Sequence, residues 1–329
     1  MKRVLYLLVL ITVLSIAGFS KLFFFTSVTP QKDLILAIPK GVGLIRTAHI
    51  LKNQKLITIP DIFVWGVTLN GQEKNIKAGE YLLASGHSYT PFKLMKLLVE
   101  GDQLDRRLTL IEGDTVQEAL TILADNSAFK GEVIDIPEEG TLFPDTYFYS
   151  MGDARAVMLK KMQQEMRDNL ETAWAQRDRK LALKSPREAL ILASIVEKET
   201  GCHDNPARVA AVFLNRLRIG MPLQSDPTVI YALTEGKKDL GRQLKRSDLK
   251  KNSPYNTYLH KGLPPTAICN PGLKSIKAVM NPLETKELYF VADGKGGHHF
   301  AKTYAEHQRN HEAWRKLRDT QSNRNICVK

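Results

Sequence analysis

From Val4 to Phe19 the chain carries no charge and only two mildly polar residues, Thr12 and Ser15. Ser20 and Lys21 interrupt, and an apolar stretch resumes over 22–25. Residues 4–25 can cross a bilayer core of about 30 Å at about 1.5 Å per helical residue. Lys21 lies near the far end, where its stem can snorkel to the head groups. A cleaved signal sequence would have a shorter apolar core and a small-x-small exit. The long run and its aromatic exit therefore predict a retained anchor at 1–25, with Lys2 and Arg3 holding the amino end in the cytoplasm. Everything after about residue 26 would then lie outside the membrane, which disfavours nucleic acid as a partner.

Residues 26–33, with Pro30 among mixed polar residues, read as a tether. Three weakly similar units follow, each a strand, a glycine turn and a helix: 34–38 then 44–51, 80–83 then 90–99, and 107–111 then 114–123. Thr90 before Pro91 reads as an N-cap, and Asp114 with Gln117 has capping-box spacing. Such units at 34–125 suit either a binding or spacer module or an α+β packing domain. The segment 138–147 is dense in turn formers. A long helix is predicted over 154–183, where Met158, Met162 and Met166 form one stripe, read as core.

Residues 126–329 read as the second domain, and its most informative helix is 186–200. Ser185, Pro186 and Glu188 give an N-cap, a proline at N1 and an acid at N3, and Gly201 gives a C-terminal stop. At about 100° per residue, Leu192, Ile195 and Val196 define an apolar face, and Glu199 falls inside it. Glu197 points about 160° away from Glu199 and Lys198 lies at the edge. A carboxyl on a greasy face resists ionisation, so burial keeps its proton near neutral pH, as a general acid requires. The competing reading is that Glu199 frays outward or pairs with Arg208. Farther on, Asn205 and Pro206 start another helix that Gly220 stops, and Asp226 before Pro227 reads as the N-cap of a third. Loops around 253–258 and 262–265 are rich in hydroxyls, amides and aromatic rings, which suits a carbohydrate cleft.

Composition adds a little. The chain has 329 residues, 25% charged and 43% hydrophobic, which is ordinary for a folded protein. A net charge of +12 suits an anionic partner. Cys202, Cys269 and Cys327 form no C-x-x-C pair, which excludes a cysteine zinc cage. Cys202, His203, His298, His299 and His307 show no metal-ligand spacing, and adjacent histidines in a strand face opposite ways, so no metal and no cofactor are expected. Whether Cys202 and Cys269 pair stays open at this stage.

Several ordered motifs then carry a resemblance: 195–200 (Ile-Val-Glu-Lys-Glu-Thr), Asn215-Arg216-Leu217 with Gly220, 223–231 (Leu-Gln-Ser-Asp-Pro-Thr-Val-Ile-Tyr), 255–258 with 262–265, Asn270-Pro271-Gly272, 289–293 with Gly297-His298, and 143–147. Together they resemble the endolytic murein transglycosylases of the MltG/YceG-like family, over roughly the full chain. The resemblance implies an α+β protein: a transmembrane helix, a small LysM-like subdomain and a lysozyme-like, mainly helical catalytic domain with a few strands. It implies a single-pass inner-membrane lyase whose catalytic domain lies outside the cytoplasm. Such a lyase cleaves MurNAc–GlcNAc bonds in nascent peptidoglycan strands, leaves 1,6-anhydro ends and ends elongation beside the synthases. Glu199 is the implied acid. Gln224, Ser225 and Asp226 would orient sugar or acetamido groups, and Tyr255, Asn256 and Tyr258 would line the cleft. The alternative is a membrane-anchored, non-catalytic wall-binding protein.

Overall fold

The computed structural model describes residues 2–101, 103–104 and 106–320; Cys327 lies outside them. The chain forms two compact units, residues 1–107 with 148–153 and residues 108–147 with 154–329.

In the first unit, α1 (Lys2–Ser20) runs into a π-helical turn over Lys21–Phe25, and together they are long and apolar enough to cross a membrane. After them come β1 (Leu34–Ile38), α2 (Leu44–Asn53), α3 (Pro60–Leu69), β2 (Gly79–Leu83) and α4 (Pro91–Glu100). β1 pairs antiparallel with β2, with Leu34 opposite Leu83. The strand period of two sends Leu36 and Ile38 into the core and leaves Ile35 exposed. Leu51, Phe63, Tyr81, Leu94 and Leu98 close that core around Phe23 of the π turn. Thr90 caps α4 by accepting the Lys93 N–H, as its position before Pro91 foretells.

Two expectations change here. α3 lies between the first two units of the sequence pattern, which showed no sign of it. Its residues are apolar nearly all round, so no polar face marks its period. The residues read as a tether are stitched down: Val28 bridges to Tyr89, the Pro30 carbonyl accepts from Gly86, and Asp33 accepts the Ser85 N–H. Glu80, nearly fully buried, is neutralised by the Arg106 guanidinium.

The chain passes between the units in β3 (Arg106–Thr109) and β4 (Thr146–Tyr149). The second unit holds α5 (Val116–Asp125), α6 (Arg155–Ala175), α7 (Pro186–Glu199), α8 (Pro206–Arg218), α9 (Asp226–Thr234) and α10 (Leu273–Met280). It ends with the antiparallel hairpin β5 (Tyr289–Ala292) and β6 (His298–Ala301) and then α11 (Tyr304–Thr320). The capping box of α5 is Thr115 with Glu118, one residue along from the expected Asp114 and Gln117. Asp114 instead turns back to accept the Ile111 N–H at 3.0 Å. The methionine stripe of α6 is buried as expected. That helix stops at Ala175, well short of residue 183, because Arg177 stacks on the Trp174 ring and the Asp178 N–H bonds to the Met280 carbonyl.

α7 is the axis of this unit. It packs against α6, α8, α9 and α10, and every residue from Ala189 to Glu197 is buried. The one-sided helix read from the sequence is therefore a central helix with no solvent face along most of its length. Leu192, Ile195 and Val196 meet Val209 and Phe213 of α8 and Ile276 and Val279 of α10 in one core. Cys269, buried beside α7, is a thiol that donates to the Ser194 carbonyl, so it does not pair with Cys202.

In the first unit a Cβ built on Gly66 would sit 2.0 Å from the Phe23 ring. A Gly66→Ala change is expected to lower the unfolding free energy by about 1–3 kcal/mol through this overpacking. Thermal denaturation of the detergent-solubilised chain reads the loss, and an unchanged melting temperature would contradict the packing described.

Candidate active site

The second unit brings two carboxylates of one helix into different surroundings. Glu197, which the helix phase pointed outward, is 6% exposed. Its carboxylate accepts the Ser275 hydroxyl at 2.7 Å and the Gly272 N–H at 3.2 Å. Gly272 is the N-cap residue of α10, so Glu197 places a negative charge at the positive end of that helix. Glu197 is therefore committed to joining α7 to α10.

Glu199 sits one half-turn further on, at the last residue of α7, and is only partly exposed. The Ser225 hydroxyl donates to its Oε1 at 2.6 Å. Burial disfavours the anion and pushes this carboxyl up to about 7 from an ordinary value of 4.5. The Ser225 hydrogen bond opposes that rise, the Asp226 charge adds to it, and His298 and Arg216 pull the other way. Arg208, the partner considered for an outward-turned Glu199, is instead bound bidentately to Glu287.

Ser225 is itself held from behind. Its N–H donates to the Thr257 hydroxyl at 3.0 Å, and its carbonyl accepts the Thr228 hydroxyl at 2.7 Å. Thr228 and Thr257 share a hydrogen bond of 2.8 Å, and all three residues are buried. The preceding Gln224 takes a left-handed backbone, φ 51°, tied by its N–H to the Thr257 carbonyl, and it remains exposed. Asp226 opens α9 without capping it. Its carboxylate accepts the Tyr258 hydroxyl at 2.6 Å. Burial and the facing Asp226 hold that phenol protonated well beyond the ordinary tyrosine range.

Tyr255 bonds through its hydroxyl to Thr266, and its ring lies 4.9 Å from that of Tyr231. Asn256 is placed otherwise than expected. It is fully buried, and its amide is consumed by the Leu249 and Lys251 carbonyls and the Tyr258 N–H, so it shapes the loop from inside instead of lining a surface.

Three buried or paired charged groups of the second unit were not singled out from the sequence. Arg216, 7% exposed, donates to the Leu288 and Leu223 carbonyls and brings a buried positive charge toward Glu199. Asp204 binds the His298 ring at 2.5 Å and also accepts the Gly201 and His298 N–H groups. Gly201 does not end α7 through a left-handed turn. Its value is close approach, since a Cβ there would lie 2.5 Å from the Gly296 carbonyl. Glu139 is the third. Its carboxylate accepts the Val116 N–H at 2.8 Å, and burial pushes it up to about 7. The burial of Arg216 and Glu139 and the Asp204–His298 pair arise from contacts distant in sequence, and no local pattern carries them. A cavity of about 530 Å³ runs past Lys198, Thr200, Gly201 and His298; Glu199 is not among its lining residues, because its carboxyl is turned to Ser225.

This arrangement can deliver and recover one proton at a partly desolvated carboxyl. The YceG-like family matches residues 36–313. The chain belongs to the YceG-like family. A relative from Bacillus subtilis named endolytic murein transglycosylase is 30% identical over 307 residues, covering 84% of this chain and 83% of its own length. A Streptococcus pneumoniae protein of the same name is 34% identical over 179 residues, which is 52% of this chain and 31% of that protein. The crystal structure of a YceG-like protein from Listeria monocytogenes is similar with a TM-score of 0.52 at 28% identity, covering 85% of this chain and 99% of that one. The endolytic murein transglycosylase expected from the sequence motifs is thus also the name its relatives carry.

The fold retains the Glu199 proton up to about pH 7; the unfolded chain releases it near 4.5. The folded state therefore binds more protons in that window. The stability contributed is complete below about pH 4.5 and lost as pH rises through about 7. Between about pH 5 and about pH 8 the melting temperature of the wild type should fall more than that of Glu199→Gln, which has no proton to lose. Parallel pH–melting curves check it; identical slopes would mean Glu199 is solvated. Glu197→Ala, in contrast, should cost about 1–3 kcal/mol at neutral pH by leaving Ser275 and the start of α10 unpaired.

Proposed function

We propose that the chain is a lytic transglycosylase that cleaves MurNAc–GlcNAc bonds inside peptidoglycan glycan strands and leaves 1,6-anhydroMurNAc ends. The observation that carries the reading is the Glu199 carboxyl, held near neutrality against Ser225. Glu199 is the catalytic residue. Protonated, it donates to the glycosidic oxygen as the bond to C1 breaks, while the substrate's own N-acetyl oxygen stabilises the cation at C1. The Glu199 anion then takes the proton of the C6 hydroxyl of the same sugar. That oxygen bonds to C1, the anhydro ring closes, and Glu199 ends the cycle protonated as it began. One carboxyl thus performs both proton transfers, where hydrolytic glycosidases divide the work between two.

Ser225 orients Glu199, and Gln224 and Asp226 stand exposed beside it, positioned to meet sugar hydroxyl or acetamido groups. Tyr258 fixes the Asp226 carboxylate, and Tyr255 contributes a ring face. The first unit, with its β1–α2–α3–β2 arrangement, is read as LysM-like and the second as lysozyme-like. The apolar helix is read as a single-pass anchor with its amino end in the cytoplasm and the catalytic unit outside. On this reading the enzyme acts on strands leaving the membrane-bound synthases and ends their elongation. The excess of positive charge suits work between anionic lipid and an anionic polymer.

Digestion of purified peptidoglycan with the full-length chain, followed by mass spectrometry, tests this. Anhydro-ended fragments should appear with wild type and fall by at least about 10³-fold with Glu199→Gln. Undiminished fragments in that variant would refute the acid assignment. Binding to sacculi without any cleavage would instead favour a wall-binding protein. Turnover should decline as pH rises through about 7, because the acid form of Glu199 is then lost.

A further inference from the structure

α3 is apolar on both of its sides. Phe63, Gly66 and Val67 face the core of the first unit, whereas Trp65 is 60% and Leu69 75% exposed. Two grooves show what runs beside that exposed side. At the helix's entry, Ile59 and Ile62 share a crevice with Leu22 and Thr26. At its exit, Trp65 and Leu69 share a groove with Ile16 and Phe19. α3 therefore runs antiparallel along the last turns of the apolar helix, and its carboxyl end reaches back toward the middle of that helix. α1 alone, at about 1.5 Å per residue, is about 28 Å long, and the exposed Lys21 that follows it marks the head-group level, so the Ile16–Phe19 level beside Trp65 and Leu69 lies about 3–8 Å inside that boundary. The Phe23 ring, fully buried against Gly66, fixes this placement.

We propose that α3 is a second membrane contact: its Trp65–Leu69 side lies in the boundary between lipid head groups and acyl chains of the bilayer that α1 spans. The inference rests on reading α1 as a membrane anchor and extends that apolar surface onto a neighbouring helix. Tryptophan favours that boundary, and interfacial helices bury an apolar side about 5–10 Å into it. Asp61, at the entry end beside the level of Leu22 and Thr26, stays in water. The exposed polar residues after Leu69, among them Asn70 and Glu73, confine the helix to the head-group layer. Held at two points, the first unit keeps a fixed height and tilt on the membrane instead of swinging on a single helix.

The test uses the full chain reconstituted in phosphatidylethanolamine–phosphatidylglycerol vesicles, with Trp174→Phe and Trp314→Phe leaving Trp65 as the reporter. Resistance of the reconstituted chain to alkaline carbonate extraction is measured first. Extraction into the supernatant would refute the anchor reading and this inference with it. For chain that stays, lipids brominated at shallow acyl positions should remove roughly half of the Trp65 emission, deep bromines less, and iodide in the water little. Iodide quenching without bromolipid quenching would overturn the inference while leaving the anchor intact. Protection from both would overturn it too, since a protein surface would then be the cover. Should the double variant misfold, 5-fluorotryptophan labelling of the native sequence gives the same reading from paramagnetic lipid. Trp65→Phe assigns the resonance.

Discussion

Three segments of the second unit converge on one carboxyl, Glu199, set in surroundings that disfavour its anion. The cost of that placement is set by α7, which is buried along nearly its whole length and so has no solvated side to offer. A lone carboxyl in such a position would be a liability. Ser225 supplies the single strong donor, and Ser225 is held by Thr228 and Thr257 behind it. Two of those residues lie on or beside α9 and one on a distant loop, so the geometry of a single hydrogen bond reports the packing of three segments. The two acids of α7 show how far environment outweighs residue type. Glu197 has a helix start and a hydroxyl as permanent partners, and Glu199 has one hydroxyl and a partly open side.

The loops around this carboxyl are long and carry few regular elements, and buried amides and guanidinium groups give them their shape. Asn256 ties 249–258 into a knot, and Asn215 spans to the Thr285 and Glu287 carbonyls. Asn270 joins the Leu142 N–H to the Asp114 carbonyl, and Arg216 clamps the Leu223 and Leu288 carbonyls. Each satisfies backbone groups that the loop cannot satisfy for itself. A motif residue in such a protein therefore need not touch substrate; several of the most recognisable ones shape the loops from within.

The first unit applies the same economy to an apolar problem. Its core is small, and Phe23, a residue of the apparent membrane segment, completes it. The anchor and the folded unit thus share a side chain, and Gly66 is the residue that permits the contact. That sharing makes the end of the apolar helix part of a globular core, which a hydropathy profile alone does not express.

Local chemistry in the sequence determined much: the apolar span, the strands at 34–38 and 80–83, the caps at Thr90, Ser185 and Asn205, and the position of Glu199 on the buried side of its helix. Each depends on residues within one or two turns of one another, where period and side-chain type suffice. The family, too, was legible, since its motifs are ordered runs. Tertiary structure alone decided that Glu197 is buried, that α7 is central and that Asn256 faces inward. It also decided that Asp204 meets His298 across 94 residues. The physical reason is that burial belongs to the whole assembly. A helix phase ranks the faces of one element, but how many faces are covered depends on how many neighbours arrive.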